Sequence, residues 1–535
     1  MTSPGLMQPT PLTLDHIFER MRTVYADGEV ISPERRTTYG ELSERILRLA
    51  RALVEDLGVQ PGDRVATFAT NTARHFELYW AVPLVGAVLH TVNIRLHPEQ
   101  IAYICNHAED RVLFFDGALG GQVGELAPEL ATVKDYVALG AAADGAPGGT
   151  RDHDALVGGA EPLRDLPAVD EQAAMGLCYT SGTTGMPKGV LYSHRGMWLH
   201  SMATSMADHI GLREADRVLP IVPMFHAFAW SLPYAAPMTG AELIFHGADN
   251  SPEHLAGLIE REQVTLSAAV PTIWKTLLPL YREGRADPSS LRLVFVGGAA
   301  SPRALIEAYD ELGVEYLQVW GMTETGPLAS AARPRRRHRG LDHDALLDVR
   351  EKTGTIFAGL EARIVGDDDE PLPWDGQAVG ELEVRGPWIA SAYYRQEHDH
   401  SRFHDGWLRT GDMAYMEPDG YFRIVDRAKD LVKSGGEWIS SVELEGHVLA
   451  HPDVADAAVI GVPSRKWDER PVVVVVGEDG RTAPDRDALR EFLAGRVPKW
   501  WLPDDVVVVD EIPKTSVGKL NKRALREELG DLRLP

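Results

Sequence analysis

Continuous apolar runs of about four to eight residues bounded by polar turns read as buried strands, and stretches with an apolar residue every third or fourth position read as helices. On that rule residues 64–69, 87–92 and 111–116 are strands and residues 75–82 and 98–109 are helices. This repeated βα alternation predicts a parallel sheet. The pattern lapses over 140–159, where Ala and Gly gather around Pro147, and that segment reads as a surface excursion. It resumes with strands at 176–180, 217–222, 242–246, 265–270 and 292–296. Helices open at Ser251-Pro252 and Ser301-Pro302, where serine caps and proline suits the first turn. Two open α/β units up to about Trp320 follow.

Past an arginine-rich stretch the texture changes to short strands at 355–365, 380–386, 406–412 and 419–426, with Asp-Gly turn signals at Asp375, Asp405 and Asp419. These predict a small β-barrel-like unit. Beyond Asp430, helices at 442–452 and 485–496 mix with strands at 456–462, 471–477 and 505–513, the pattern of a separate α+β domain. No repeat recurs at a fixed period, which excludes solenoids and propellers.

The chain has 535 residues, enough for more than two folding units. Its net charge of −25 disfavours binding to nucleic-acid phosphates or anionic lipid. Cys105 and Cys178 form no CxxC pair, so neither a disulfide framework nor a Cys-ligated zinc site is expected. The N-terminal segment lacks a signal peptide's basic and apolar parts, and the apolar run 78–89 is short for a membrane span. A cytoplasmic setting is the expectation.

The chemistry concentrates first at residues 179–189, directly after an apolar strand: Thr180, Ser181, Gly182, Thr183, Thr184, Gly185, Lys188 and Gly189. Glycines let backbone N–H groups approach an anion, hydroxyls add donors or a Mg²⁺ ligand, and Lys188 supplies positive charge. A Walker A loop requires Ser or Thr after Gly-Lys, whereas Pro187 precedes Lys188 and Gly189 follows it. The P-loop NTPase reading fails there.

This loop resembles the phosphate loop of the adenylate-forming superfamily of acyl-CoA synthetases, acyl and aryl ligases, luciferases and peptide-synthetase adenylation domains. Further motifs of that superfamily follow in order: residues 318–324 (QVWGMTE), 410–412 (TGD), 426–430 (DRAKD), 433–438 (KSGGEW) and 513–519 (PKTSVGK). The resemblance covers nearly the whole chain. It implies ATP and Mg²⁺, an acyl adenylate formed with release of pyrophosphate, and coenzyme A as co-substrate. Bringing a carboxylate against the α-phosphate requires two anions to be neutralised and aligned, which is work for Mg²⁺ and lysines.

Carried onto this sequence, the resemblance makes Lys519 the lysine that bridges carboxylate and α-phosphate, with Lys188 on the phosphates and Glu324 as the Mg²⁺ ligand beside Thr180. Trp320 offers an aromatic face to adenine where many relatives have Tyr, flanked by Gly298, Gln318, Val319 and Thr323. Asp412 accepts the ribose hydroxyls and Arg427 reaches ribose or phosphate. Lys429 is the hinge between an N-terminal domain, 1–428, and a mobile C-terminal domain, 429–535, and Lys433 serves the ATP-bound arrangement. Gly435 and Gly436 line the thiol channel.

The segment with His226, Phe228 and Trp230 resembles the medium- and long-chain fatty acyl-CoA synthetase branch. Gly297 and Ala299 leave room beside it for a hydrocarbon body, and Trp438 matches a gate tryptophan. Phe228 stands where relatives often carry a smaller polar residue, which shortens or reshapes the tunnel. An amide-forming ligase that passes the acyl group to an amino acid is the second reading, and a non-catalytic adenylate-fold binding protein a third, opposed by the intact Lys188, Glu324, Asp412 and Lys519. A homodimer is the implied assembly. The arginine run 333–339 reads as a solvated loop rather than a nucleic-acid, membrane or CoA-phosphate contact. The residues Glu397, His398, Asp399, His400 and His404 have superficial zinc spacing but sit between turns, as a polar surface loop.

Overall fold

The computed structural model describes residues 5–180, 186–396, 400–434, 437–464, 467–478, 480–515 and 520–530. The first sheet runs in the order Arg151–Asp152, Asp135–Leu139, Asp110–Asp116, Arg64–Phe68, Val88–Thr91, Ala174–Tyr179, Gly189–Ser193, parallel except for the last pair. Its central strands are apolar throughout because helices cover both faces. Val65, Leu89, Val112 and Phe114 share a core with the helices Tyr39–Glu55 and Ala73–Leu84. Ala66, Phe68, Leu113 and Phe115 share another with Pro98–Ala108.

The second sheet is parallel through Glu29–Ser32, Glu242–Ile244, Arg217–Pro220, Leu266–Ala269, Leu293–Val296 and Glu315–Gly321. Its outermost strands come from the beginning of the chain: Val30 lies opposite Leu243, and Glu29–Ser32 forms a hairpin with Arg35–Thr38. Neither strand carries an apolar run long enough to stand out in the sequence. Past Glu315–Gly321 the sheet turns antiparallel through Leu328–Ala331, Gly354–Ile356, Tyr421–Arg427, Trp407–Met416, Val379–Arg385 and Glu361–Val365. The expected small β unit is thus hydrogen-bonded to the second α/β unit. The strand expected at 355–365 is two strands, separated around Gly359 at φ +97°. The Asp405-Gly406 signal is a tight hairpin turn, with both φ values positive at +49° and +78°.

The segment 140–159 is more ordered than its composition indicates. It ends in a short strand, Arg151–Asp152, and a helix, His153–Gly159. Asp154 accepts from Arg35 (3.2 Å), Arg45 (2.6 Å) and Arg74 (2.8 Å), and His153 beside it, together with Arg74 and Arg45, holds its carboxyl well below the ordinary range. In the arginine run, Arg333 is half-buried on Glu315 (2.7 Å) and the His209 carbonyl (2.9 Å), while Arg335 and Arg337 donate to the Asp419 carbonyl. The run therefore clasps the β unit at its Asp419-Gly420 turn, although Arg335, Arg336 and Arg337 remain exposed.

The C-terminal part has its own sheet, with Val454–Ser464 antiparallel to Asp468–Gly477 and Asp505–Val508 parallel to the latter. Alternate residues feed two cores: Val459, Val473 and Val475 on one face, Ile460, Val472 and Val474 on the other. It meets the rest of the chain where Lys275 Nζ donates to the Ala455 carbonyl (2.6 Å). A second junction lies at Asp426, which accepts from the Ser441 N–H (2.7 Å) and hydroxyl (2.5 Å) at the start of helix Ser441–Leu449. Among the described residues, no helix is long and apolar enough to cross a membrane.

Candidate active site

The strands that flank the phosphate-loop motif, Ala174–Tyr179 and Gly189–Ser193, pair antiparallel. Thr180 N–H donates to the Lys188 carbonyl (2.9 Å) and Lys188 N–H to Thr180 Oγ1 (3.2 Å), which closes the mouth of the loop. Ser181, Gly182, Thr183 and Thr184, together with Gly435, Gly436, Lys519 and the segment Glu397-His398-Asp399, lie outside the described residues.

Lys188 and Glu324 converge on one side chain that sequence reasoning missed. Tyr393 Oη donates to Glu324 Oε1 at 2.6 Å, and the Lys188 ammonium stands 4.6 Å from the Tyr393 ring centroid. Glu324 is buried in the short 3₁₀ turn Thr323–Thr325, which a second unforeseen tyrosine anchors: Tyr192 Oη donates to the Thr323 carbonyl at 2.6 Å. Tyr393 lies in a polar stretch without periodicity, so only its neighbours in space reveal it.

On the nucleotide side, Trp320 and Asp412 come together from strands that are not neighbours in the sheet. Trp320 Nε1–H donates to Asp412 Oδ2 (2.9 Å), and Arg427 Nε lies 2.6 Å from Oδ1. Arg427 is the cross-strand partner of Asp412, so sheet register itself sets this ion pair. Trp320 therefore does more than offer a face: its indole N–H aligns the carboxylate expected to hold ribose. Gln318 takes the neighbouring turn in hand, accepting from Ser301 N–H (3.2 Å) and donating to the Ala299 carbonyl (3.4 Å), while Gly298 adopts φ +87°. Val319 is buried and Ala299 is exposed.

The acid-side segment has an unusual backbone. Ala227, Phe228, Ala229, Trp230 and Ser231 all have positive φ, between +44° and +63°, a left-handed turn built without glycine. At about 1–2 kcal/mol per L-residue, such a turn persists only because its surroundings over-determine it. Ala227 N–H donates to Cys178 Sγ (3.3 Å), Ala229 N–H to the His226 carbonyl (3.1 Å), and Ser231 Oγ is bound to His200 Nδ1 (2.7 Å). Burial pushes the Cys178 thiol up to about 11, so it stays protonated beneath the turn.

The turn aims Phe228 and Trp230 into the core. Phe228 packs edge-on against Tyr79 and Tyr192, with centroids 5.6 and 5.2 Å away, and a Cβ at Gly176 would lie 2.3 Å from its ring. Trp230 packs against Phe295, and a Cβ at Gly297 would come within 3.3 Å of it. Gly176 is thus a glycine because the Phe228 ring occupies the space beside it, whereas at Gly297 a Cβ would first meet the Val319 side chain and carbonyl, both at 3.0 Å. The other expected tryptophan, Trp438, is 45 % exposed on the C-terminal hairpin, its ring 5.3 Å from Lys433 Nζ. Lys429 lies between the last strand of the β unit and that hairpin, and burial lowers its ammonium below the ordinary value.

Among the described residues no group of three or more His, Cys, Asp or Glu could hold a metal by itself. Glu324 has one oxygen engaged by Tyr393, and no described residue donates to the other. This suits Mg²⁺, which typically takes one or two carboxylates and completes its shell with substrate phosphates and water.

Comparison with known proteins agrees with this geometry. Residues 18–394 match the AMP-binding enzyme family and residues 443–519 the AMP-binding enzyme C-terminal domain, so the chain belongs to the AMP-binding enzymes. It is 44 % identical over 537 residues to a 3-methylmercaptopropionyl-CoA ligase of Ruegeria lacuscaerulensis, covering 98 % of this chain and 99 % of the relative. It is 44 % identical over 533 residues to a long-chain-fatty-acid–CoA ligase of Thermus thermophilus, covering 98 % and 97 %. Among solved structures, the anthranilate CoA ligase AuaEII in complex with anthranoyl-AMP superposes with a TM-score of 0.87 at 25 % identity, over 97 % of this chain and 98 % of that one. The chain is an AMP-forming acid–CoA ligase that uses ATP and Mg²⁺, with coenzyme A as co-substrate.

Proposed function

We propose that the acid this ligase activates is an apolar monocarboxylic acid of limited length. The observation that carries this is Phe228: its ring fills the space above Gly176, between Tyr79 and Tyr192, where a tunnel for a long alkyl chain would need to continue. Tyr192 touches both Phe228 and the backbone of the Glu324 turn, so a carboxylate at the nucleotide end and a short apolar body against Phe228 and Trp230 fit one axis. The relatives named for a methylthio-substituted propionate and for long-chain fatty acids are equally similar, so Phe228 rather than similarity carries the length.

In the first half-reaction Lys188 draws the phosphates, Asp412 holds the ribose and Trp320 keeps Asp412 aligned. Glu324 and Thr180 would hold Mg²⁺, which would supply charge neutralisation at the phosphates. Lys519 bridges the acid and the α-phosphate. The domains 1–428 and 429–535 then turn about Lys429, and Gly435 and Gly436 admit the thiol. Trp438, which travels on the C-terminal hairpin, closes over the site in one of the two arrangements. A homodimer and a cytoplasmic setting complete the proposal.

The test is kcat/KM for thioester formation along a series of straight-chain acids, for the wild type and Phe228→Gly. Each methylene a pocket accepts is worth about 0.8 kcal/mol, roughly fourfold. The wild type is expected to lose that increment at a shorter chain than the variant, which gains longer acids. A wild type that prefers long-chain acids, with Phe228→Gly unchanged, overturns the reading. Amino acids offered beside coenzyme A address the acceptor, and predominant amide products would replace the thioester.

A further inference from the structure

One buried histidine ties the acid-side turn to the strand that follows the Glu324 turn. His200 projects from the helix His194–Ser205 and is fully buried, as is Ser231. Its two ring nitrogens reach different parts of the site: Nδ1 lies 2.7 Å from Ser231 Oγ, and Nε2 accepts the Leu328 N–H at 2.9 Å. A backbone N–H only donates, so Nε2 is the bare nitrogen and Nδ1 carries the proton. Burial pushes the imidazole down to about 3, which keeps the ring neutral and in this one tautomer at neutral pH. Thr204 Oγ1, 3.5 Å from Nδ1, gives its own proton to the His200 carbonyl (2.9 Å). Ser231 Oγ therefore accepts from Nδ1–H, in a bond whose direction is set on the far side of the ring by Leu328.

That bond takes the place of another. Ser231 stands at the N-cap of the helix Leu232–Thr239, where a serine ordinarily has extended backbone angles and caps the first turn with its hydroxyl. Here its φ is +63° and its side chain makes no capping bond, and the hydroxyl faces His200 instead. Ser231 is the last residue of the left-handed turn that carries Phe228 and Trp230. With no glycine to make positive φ cheap, the turn depends on what grips it, and the side chains that grip its two ends are Cys178 at Ala227 and His200 at Ser231.

We infer that His200 is a positioning residue for acid selection: through Ser231 it locks the left-handed turn that sets Phe228 and Trp230 against the acid, with its donor fixed by the Leu328 N–H. This rests on the reading of Phe228 and Trp230 as the acid-side wall.

Two substitutions separate the two ring contacts. An asparagine amide nitrogen overlies Nδ1 and a glutamine oxygen overlies Nε2, so His200→Asn keeps a donor for Ser231 and loses the Leu328 contact, while His200→Gln does the reverse. Ser231→Ala removes the same bond from its other end with little change of volume. Steady-state kinetics along a series of straight-chain acids give KM for the acid, KM for ATP and the chain length at which kcat/KM falls. They are measured for the wild type, these three variants, His200→Gln combined with Ser231→Ala, and Phe228→Gly. His200→Gln and Ser231→Ala are each expected to raise KM for the acid about fivefold, the effect of one neutral hydrogen bond, and to blunt the fall with chain length, with KM for ATP unchanged. The double variant is expected to match the single ones, since each removes one shared bond. His200→Asn is expected to keep the wild-type acid KM and length dependence while melting earlier, because the buried Leu328 N–H has lost its acceptor. Equal acid effects in His200→Asn and His200→Gln, or a wild-type acid profile in Ser231→Ala, overturn the inference. A Phe228→Gly variant with an unchanged acid profile would instead overturn the acid-side wall beneath it.

Discussion

Replacing Lys522 by methionine tests what fixes the C-terminal part at its junction with the β unit. Lys522 is only 8 % exposed, and its ammonium lies 2.7 Å from Glu445 Oε1. It also donates to Ser441 Oγ, whose hydroxyl donates to Asp426. Two buried carboxylates therefore share one buried cation. Burial pushes Asp426 and Glu445 up; it would lower Lys522, but the two carboxylates outweigh it and hold the ammonium up. Methionine keeps an apolar stem and leaves both acids without their cation, a loss of about 3–5 kcal/mol when a buried pair is broken from one side. The sign with pH follows from linkage: a carboxyl whose folded pKa is raised contributes stability below its unfolded pKa and loses it as pH rises through the folded one. The deficit of Lys522→Met is thus largest near pH 8 and shrinks toward pH 5 as Asp426 and Glu445 protonate. Urea unfolding followed by tryptophan fluorescence, with limited proteolysis to locate the loss in the C-terminal part, measures it. Adding Glu445→Gln should recover part of the deficit. A deficit below about 1 kcal/mol at pH 8, within the range of an exposed pair, or one independent of pH, would refute the reasoning.

Trp320→Phe keeps an aromatic face but removes the N–H that aligns Asp412; losing a hydrogen bond to a charged group, worth about 1.5–3 kcal/mol, should raise the KM for ATP about tenfold or more while the KM for the acid holds. Equal ATP constants in steady-state kinetics would show that the indole N–H is dispensable. Lys519→Ala should abolish adenylate formation, read as pyrophosphate release, while thioester formation from a supplied acyl adenylate survives; adenylation near the wild-type rate would remove Lys519 from the first half-reaction.

Much of the site was legible because its chemistry is written in contiguous segments. Lys188 is recognisable from the loop around it, and Glu324, Trp320 and Asp412 from short strings that need not be seen in space. The parallel strands were legible for a similar reason, since burial on both faces makes them continuous apolar runs, as in Asp110–Asp116. What escaped was whatever depends on contact between distant segments. Tyr393 has meaning only through Lys188 and Glu324, and the aligning role of the Trp320 N–H appears only once Asp412 is beside it. Asp154 lies in the stretch 140–159 that reads as a surface excursion, and only the fold gathers Arg35, Arg45 and Arg74 on it. The left-handed turn was equally hidden, because Ala227-Phe228-Ala229-Trp230 contains none of the residues that ordinarily announce positive φ.

The N-terminal hairpin has a consequence for how the chain is made. Glu29–Ser32 leaves the ribosome early, but the strand it lies beside, Glu242–Ile244, follows some two hundred residues later. At translation rates of about 5–20 residues per second, that interval is roughly 10 to 40 seconds. During it the first sheet can assemble from its local βα units, while the hairpin waits with an unpaired edge of the kind that recruits foreign strands. Arg35 and Arg36 stand on the waiting hairpin, and Arg36 ends up paired with Glu29 and Glu262. Only once that later segment has been synthesised does Arg36 tie the hairpin to Glu262 as well as to its own Glu29.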